Sequence, residues 1–375
     1  MRIMLYQRIN EIAGRIESRT GAIGFTILVS IVLLIAAALY VRPELYYVGA
    51  GMYFERLANN PFDFSQNNPF AFRILTPLIS YIVGLRGKLF MVTNGIITLL
   101  FIGFIYRHFR VLSGRAGDAL CAAAVITFSS TVLVTIAYSG FCDILSYLGI
   151  FAMWHWRKHF VLFSLFFAVA LFNHENVLFL VPWLITIRMR DESQKMWSFI
   201  TTVLGLGIVL IGFHFFRDWV TAERQITLSL SYYIEPLLAD PFHWMRQPIQ
   251  YYGLGLFTVF KAFWLIPIAV AILLWKERRK FDIIVLILPV VLASIQLIIA
   301  IDSTRMFTLG FMTMILAIEY LLRENKLELL QWLPALILVN LFVPQLYTAS
   351  NVIENVRSTP MHLLRMWLEN KPWWP

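Results

Sequence analysis

Long apolar runs broken by short polar links recur along almost the whole chain. The runs do not alternate with a period of two, so they do not read as strands of a barrel. In lipid an open sheet would leave backbone groups unpaired, and each run is therefore read as a helix. About eleven spans are expected, near 24–41, 89–106, 117–137, 143–156, 160–173, 176–188, 197–215, 253–275, 281–301, 305–322 and 328–347. Those between 143 and 188 are short and require tilting or local thinning of the bilayer. The chain is thus expected to be all-α, a polytopic transmembrane helical bundle.

Composition agrees: 59% of residues are hydrophobic and 14% charged, against a charged fraction near a quarter in soluble domains. The net charge of +9 does not point to nucleic acid, because the basic residues lie between the spans, where they set orientation. With the N-terminus in the cytoplasm, the inner links hold Arg107, Arg110, Arg115, Arg157, Lys158, Arg188, Arg190, Lys195, the run Lys276 to Lys280, Arg323 and Lys326. Among the short outer turns only Arg305 is basic. Arg86 and Lys88 would fall outside, beside the apolar stretch 70–85. A full span there would invert everything after it, so 70–85 is read as an interfacial or re-entrant helix, in keeping with Pro69 and Pro77.

The resulting organisation is a cytoplasmic amphipathic segment, 1–23, a transmembrane domain, 24–347, and an extracytoplasmic tail, 348–375. Large external loops are expected at 42–88, with interfacial helices, and at 216–252. Arg2, Arg8, Arg15 and Arg19 form a long basic segment before the first span. That segment favours an uncleaved anchor over a signal peptide cut near Ala36 to Ala38. Aromatics such as Tyr46, Tyr47, Trp219, Tyr232, Trp244, Tyr251, Trp367 and Trp373 concentrate in the external segments, as an interfacial belt or as sugar-stacking surfaces. Cys121 and Cys142 have no metal-ligand spacing. The chain carries no Walker loop, Rossmann glycine pattern, H-E-x-x-H or G-x-S-x-G.

Ionisable residues collect in the outer turns. Asp143 follows Tyr138, Ser139 and Gly140 at the start of an apolar run. It is either a helix cap or a carboxylate presented to a cavity between helices. Asn173, His174, Glu175 and Asn176 form a polar turn between two strongly apolar runs, where His174 is a candidate phosphate-binding cation and Glu175 a candidate metal ligand or partner of Arg305. Asp302 and Arg305 either pair locally or offer a guanidinium suited to a phosphate. Lys261, within its span, either snorkels outward or faces inward toward the same phosphate. In the first loop Glu44, Glu55 and Asp63 are candidate bases, and Arg73 opens an apolar helix; Asp63, between Pro61 and Asn67, reads equally well as a turn residue.

In four patches the chain resembles the GT-C superfamily of multi-pass, lipid-dependent glycosyltransferases: YFERLANNPF with PFAFRILTPLI, YSGFCDILSY, NHENVLFLVPW and DSTRMFTLGF. The resemblance implies a GT-C-like bundle in the cell (inner) membrane that transfers a sugar from a polyprenyl-phosphate donor to a glycan, lipid or protein acceptor at the extracytoplasmic face. Arg73, His174, Lys261 and Arg305 would meet the phosphate. Glu44, Asp63 or Asp143 would act as base. Glu175 and Asp302 would hold a divalent cation, Mg²⁺ or Mn²⁺, or position the basic groups. Members of the superfamily carry an acid early in the first external loop, whereas VGAGMY has none. A transporter or flippase for a lipid-linked substrate, and a noncatalytic scaffold, are the competing readings.

Overall fold

A computed structural model describes residues 2–41, 50–62, 70–190, 195–222, 238–240, 243–246, 249–298, 302–349 and 352–356. Each of the eleven expected spans contains helix, yet they are not eleven crossings. Six helices among the described residues are long and apolar enough to cross a membrane. A seventh is counted if Ala116–Thr127 and Ser130–Ala137, bent by 54°, form one broken span. The helices Asp143–His155 and Phe160–Asn173 have 13 and 14 residues, and at 1.5 Å per residue reach about 20 Å, well short of a ~30 Å hydrocarbon layer. The segments 175–190 and 327–342 are little longer. Sequence pattern alone counted such short helices as spans because their residues are as apolar as those of the long ones. The protein is a membrane-embedded helical bundle that combines long helices with shorter ones.

Burial does not follow length: Asp143–His155 is largely buried, whereas Phe160–Asn173 exposes Phe160, Val161 and Leu165. The apolar window of Ser303–Arg323 is 94% buried, against 22% for Lys195–Val220, so the first is the axis of the bundle and the second its periphery. Close approach at the axis depends on Gly310: a Cβ there would lie 3.1 Å from the Val290 Cα. The neighbouring helix Lys280–Ile295 offers a buried stripe, Val285, Pro289 and Leu292, which Gln296 of the following 3₁₀ turn continues at steps of four, three and four.

At the N-terminus a single helix, Arg2–Tyr40, is kinked at Gly21, whose φ of 73° and ψ of 163° suit a residue without Cβ. Before the kink Tyr6 and Ala13 are buried, while Ile3, Met4, Ile12 and Ile16 are exposed. Asn10 docks this segment on the helix Ala116–Thr127, its Nδ2 donating to Asp118 Oδ1 at 2.9 Å and its Oδ1 accepting the Asp118 N–H at 3.2 Å. Gly117 makes room, since a Cβ there would stand 2.5 Å from the Asn10 Cα. Gly117→Ala is expected to cost about 1–3 kcal/mol by overpacking, read as a lower unfolding midpoint in detergent. Gly207→Ala, with nothing within 4 Å of its Cβ position, should leave that midpoint unchanged or raise it.

The loops predicted as cytoplasmic gather at one end of the bundle. There Arg190 and Arg279 meet Asp282 at 2.6 and 2.7 Å, and Arg279 meets Glu324 at 2.9 Å. These groups line a cavity of about 140 Å³ with Trp154, Glu319 and Arg323. The polar turns at Asp143, His174 and Asp302 lie at the opposite end. The first-loop helices beside them are short: Ala50–Asn59 and Leu75–Ile82, the latter only 8 residues. Leu346–Ala349 and Val352–Asn355 pair as an antiparallel hairpin, a pair of strands that the apolar pattern did not signal.

Candidate functional site

Asp143 is the first residue of its helix, and it does not cap it. Both carboxylate oxygens instead accept from Arg305, Oδ2 from Nε at 2.9 Å and Oδ1 from Nη2 at 3.2 Å. Arg305 lies one turn into the axial helix, with its guanidinium carbon 3.9 Å from the centre of the Phe141 ring. Its third nitrogen, Nη1, donates to Asp302 Oδ2 at 3.2 Å. Asp302 also caps the axial helix, Oδ1 accepting the Arg305 backbone N–H at 3.2 Å. The local pair and the long-range partner therefore coexist. Tyr347 of the hairpin donates its hydroxyl to Asp302, and Thr348 bonds Ser303 and Thr304 from the same strand, at 2.6 and 2.8 Å.

A second arginine stands across the site. Arg73, two residues before its helix, grips Glu175 with Nε at 2.8 Å from Oε2 and with Nη2 on Oε1. Glu175 thus orients Arg73 and not Arg305. The turn is held from below by Asn173, which donates to the Cys142 carbonyl at 2.7 Å and to Ser146 at 2.8 Å and accepts from Thr76 at 2.5 Å.

His174 lies between the two halves. Its Nε2 is 3.5 Å from Asp143 Oδ1 and its Nδ1 3.6 Å from Glu175 Oε2. Arg73, Glu175, His174, Asp143, Arg305, Asp302 and Tyr347 follow one another as a continuous polar chain. They come from segments far apart in sequence. Every short outer turn singled out by sequence contributes to it.

Burial sets the charges. Glu175 is held down to about 2: burial opposes ionisation, but the Arg73 charge and hydrogen bonds outweigh it. Arg73 is raised for the matching reason, Glu175 overcoming the cost of burial. Burial pushes Asp302 up, against the pull of Arg305 and Tyr347. In His174 burial and the neighbouring Arg73 lower the ring to about 4, outweighing Glu175 and Asp143. Burial and Arg73 thus disfavour the charged imidazole that a phosphate contact from His174 would need.

Because the folded value lies below the ordinary 6.5, the unfolded chain takes up this proton first as pH falls. The neutral ring's contribution to stability is complete above about 6.5 and is lost toward about 4. The unfolding midpoint should fall across that window in the wild type, and His174→Gln should remove that part of the slope.

Lys261 is elsewhere. It is 1% exposed, at a break between the helices Tyr252–Phe260 and Leu265–Lys276, with φ 50° and ψ −122°. Its ammonium donates to Tyr40 Oη at 3.3 Å and to the carbonyls of Asn340 and Val343 at 3.3 and 3.4 Å. Those carbonyls end the helix Leu333–Phe342, where a cation is favoured by the helix dipole. The expectation that Lys261 faces a phosphate beside Arg305 is replaced by this role as a buried tie among three helices. The same contacts hold its backbone in a conformation that non-glycine residues rarely adopt.

Glu44 and Asp63 lie outside the described residues. Glu55 is half-buried near Gly87. Glu175 and Asp302 stand on different arginines, and among the described residues no group of three or more His, Cys, Asp or Glu is arranged to hold a metal. Phe141, Asn173 and Tyr347 also build the site. The first two sit inside the polar patches already singled out, whereas Tyr347 ends the apolar run 328–347, where nothing marks it. No protein-family model matches the chain, and neither the curated proteins nor the solved structures contain a detectable match.

Proposed function

We propose that this protein is a glycosyltransferase of the GT-C type that moves a sugar from a polyprenyl-phosphate donor to a glycan, lipid or protein acceptor at the extracytoplasmic face. The N-terminus then lies in the cytoplasm and the tail outside. The observation that carries the proposal is the meeting of Arg73 and Arg305, from separate segments, in one buried polar chain at a single end of a membrane-embedded bundle. Buried ionisable clusters in membrane proteins mark ligand paths more often than packing. Guanidinium groups suit a phosphate ester because their fork matches two of its oxygens.

In this proposal the donor enters laterally between helices, and Arg305 and Arg73 each exchange a carboxylate oxygen for a phosphate oxygen. The acceptor oxygen bonds to the anomeric carbon as that carbon's bond to the phosphate oxygen breaks. The electron pair leaves on polyprenyl phosphate, whose growing charge the guanidinium groups stabilise. The acceptor proton passes to a carboxylate. Asp143 acts through Arg305 as a positioning residue, and Glu44 or Asp63 of the first loop is the proposed base. No step is assigned to a divalent cation, because Glu175 and Asp302 do not combine as ligands.

Reconstitution in liposomes with hexose-labelled polyprenyl-phosphate-hexose tests the reading. Transfer predicts label leaving the lipid for an acceptor while polyprenyl phosphate accumulates. Label crossing the bilayer with its lipid linkage intact would replace transfer by transport, and binding of the donor without either change would leave a scaffold. Unchanged transfer by a combined Glu44→Ala, Glu55→Ala and Asp63→Ala variant would sink the first-loop base.

A further inference from the structure

We propose that His174, Asn176 and Gln296 form a neutral hydrogen-bonding subsite beside the two arginines, which receives the hydroxyl groups of a sugar. The proposal rests on the reading of the ligand as a glycosylated lipid phosphate and names the residues that would tell the sugar from the bare lipid.

The three side chains are 4%, 5% and 1% exposed. Among the described residues, His174 Nε2, Asn176 Oδ1 and both amide atoms of Gln296 find no hydrogen-bond partner. Buried polar atoms are nearly always paired, because an unpaired one forfeits its hydration without return. Several unpaired atoms at one end of a bundle call for a ligand that supplies the missing bonds.

Gln296 reaches that end by register. It continues the buried stripe Val285, Pro289, Leu292. The Trp183 indole N–H bonds the Val285 carbonyl at 3.1 Å, and Gly310 rests on Val290. Counting from Val290 to Gln296 gives a rise of about 9 Å, and from Gly310 back to Arg305 about 8 Å. From Val285 to Gln296 the rise is about 16 Å, and from Trp183 back to Asn176, mostly in 3₁₀ helix, it is about 13 Å. The 175–180 turn and the start of the axial helix both pack on this helix. Gln296 is therefore level with His174, Asn176 and Arg305.

The donor and acceptor types decide the ligand. His174 Nδ1 accepts the Asn176 N–H at 3.2 Å, so the neutral ring carries its proton on Nε2, a donor. It points toward Asp143 Oδ1, which at 3.5 Å is too far for a good bond. Asn176 Oδ1 is an acceptor, and the Gln296 amide offers both. A phosphate accepts only, and a cation would meet the donors unfavourably. A hydroxyl both donates and accepts, and a sugar presents several.

The test uses purified protein in nanodiscs and two families of probe: bare polyprenyl phosphate, and polyprenyl phosphate bearing glucose, galactose or mannose. Gln296→Leu is expected to weaken binding of at least one hexosyl lipid about tenfold, as loss of one or two hydrogen bonds implies, and to leave the bare lipid unchanged. Without ligand it should keep or raise the unfolding midpoint, since it removes an unpaired buried amide. Gln296→Met serves as a second variant should the branched side chain fail to pack. Equal weakening of both lipids, no weakening of any, or a lowered midpoint in both variants would overturn the subsite and leave the arginine site standing. A wild type that binds polyprenyl phosphate no better than polyprenol would overturn both.

Discussion

Arg305→Ala is expected to destabilise the protein by about 3–5 kcal/mol, the usual consequence of removing one partner from a buried ion pair. Asp143 and Asp302, with side chains 7% and 15% exposed, would both be left without their cation. The guanidinium now serves them with three nitrogens while resting against Phe141. Arg305→Lys keeps the charge but not the fork, so it should recover only part of the loss. Adding Asp143→Asn to Arg305→Met should recover more than either single change predicts, because the desolvated charge is removed with its partner. Denaturant unfolding in detergent checks the series. The proposed sugar transfer should fall at least a hundredfold in Arg305→Ala, the scale on which loss of one oxyanion-stabilising group is felt.

Glu175→Gln should have the next largest effect. It strands Arg73, whose side chain is 11% exposed, although Glu175 itself is 30% exposed; the cost is therefore set below the fully buried range, at about 2–3 kcal/mol. The pair also has a signature in pH. Glu175 is held at about 2 against an ordinary 4.5, so its contribution is complete above about 4.5 and is lost as pH falls through about 2. Wild-type stability should decline across that interval, below the window in which His174 acts. The combination Arg73→Met with Glu175→Leu should be nearly as stable as the wild type near pH 7 and lack that acid decline. A decline of unchanged size in the double variant would show that other carboxylates cause it.

Much of the site was legible in the sequence because polar residues are conspicuous between apolar runs. Asp143, His174, Glu175, Asp302 and Arg305 stood out in this way, and Arg73 did so at the head of an apolar stretch. Their pairing was not legible. Arg305 has a carboxylate three positions away and another far off in sequence, and nothing local indicates that Asp143 takes the fork while Asp302 takes the third nitrogen and the cap. Lys261 misled for a related reason: a lysine in an apolar run looks the same whether it faces a ligand or ties off a helix end. Span counting was limited by length, since helices of 13 or 14 residues carry the same apolar signal as longer ones that reach across a bilayer. The hairpin that delivers Tyr347 had too short a pattern to register, and the unpaired amide of Gln296 becomes conspicuous only once its surroundings are known.

The two-arginine chain is proposed to handle a sugar-bearing lipid phosphate. The most direct test of that role is transfer of labelled hexose from polyprenyl phosphate by the purified protein, measured beside Arg305→Ala at a temperature where both remain folded. The wild type is expected to form polyprenyl phosphate in step with glycosylated acceptor, and the variant at least a hundredfold less. Equal rates in the two proteins, or no transfer by a wild type that binds the donor, would contradict that role.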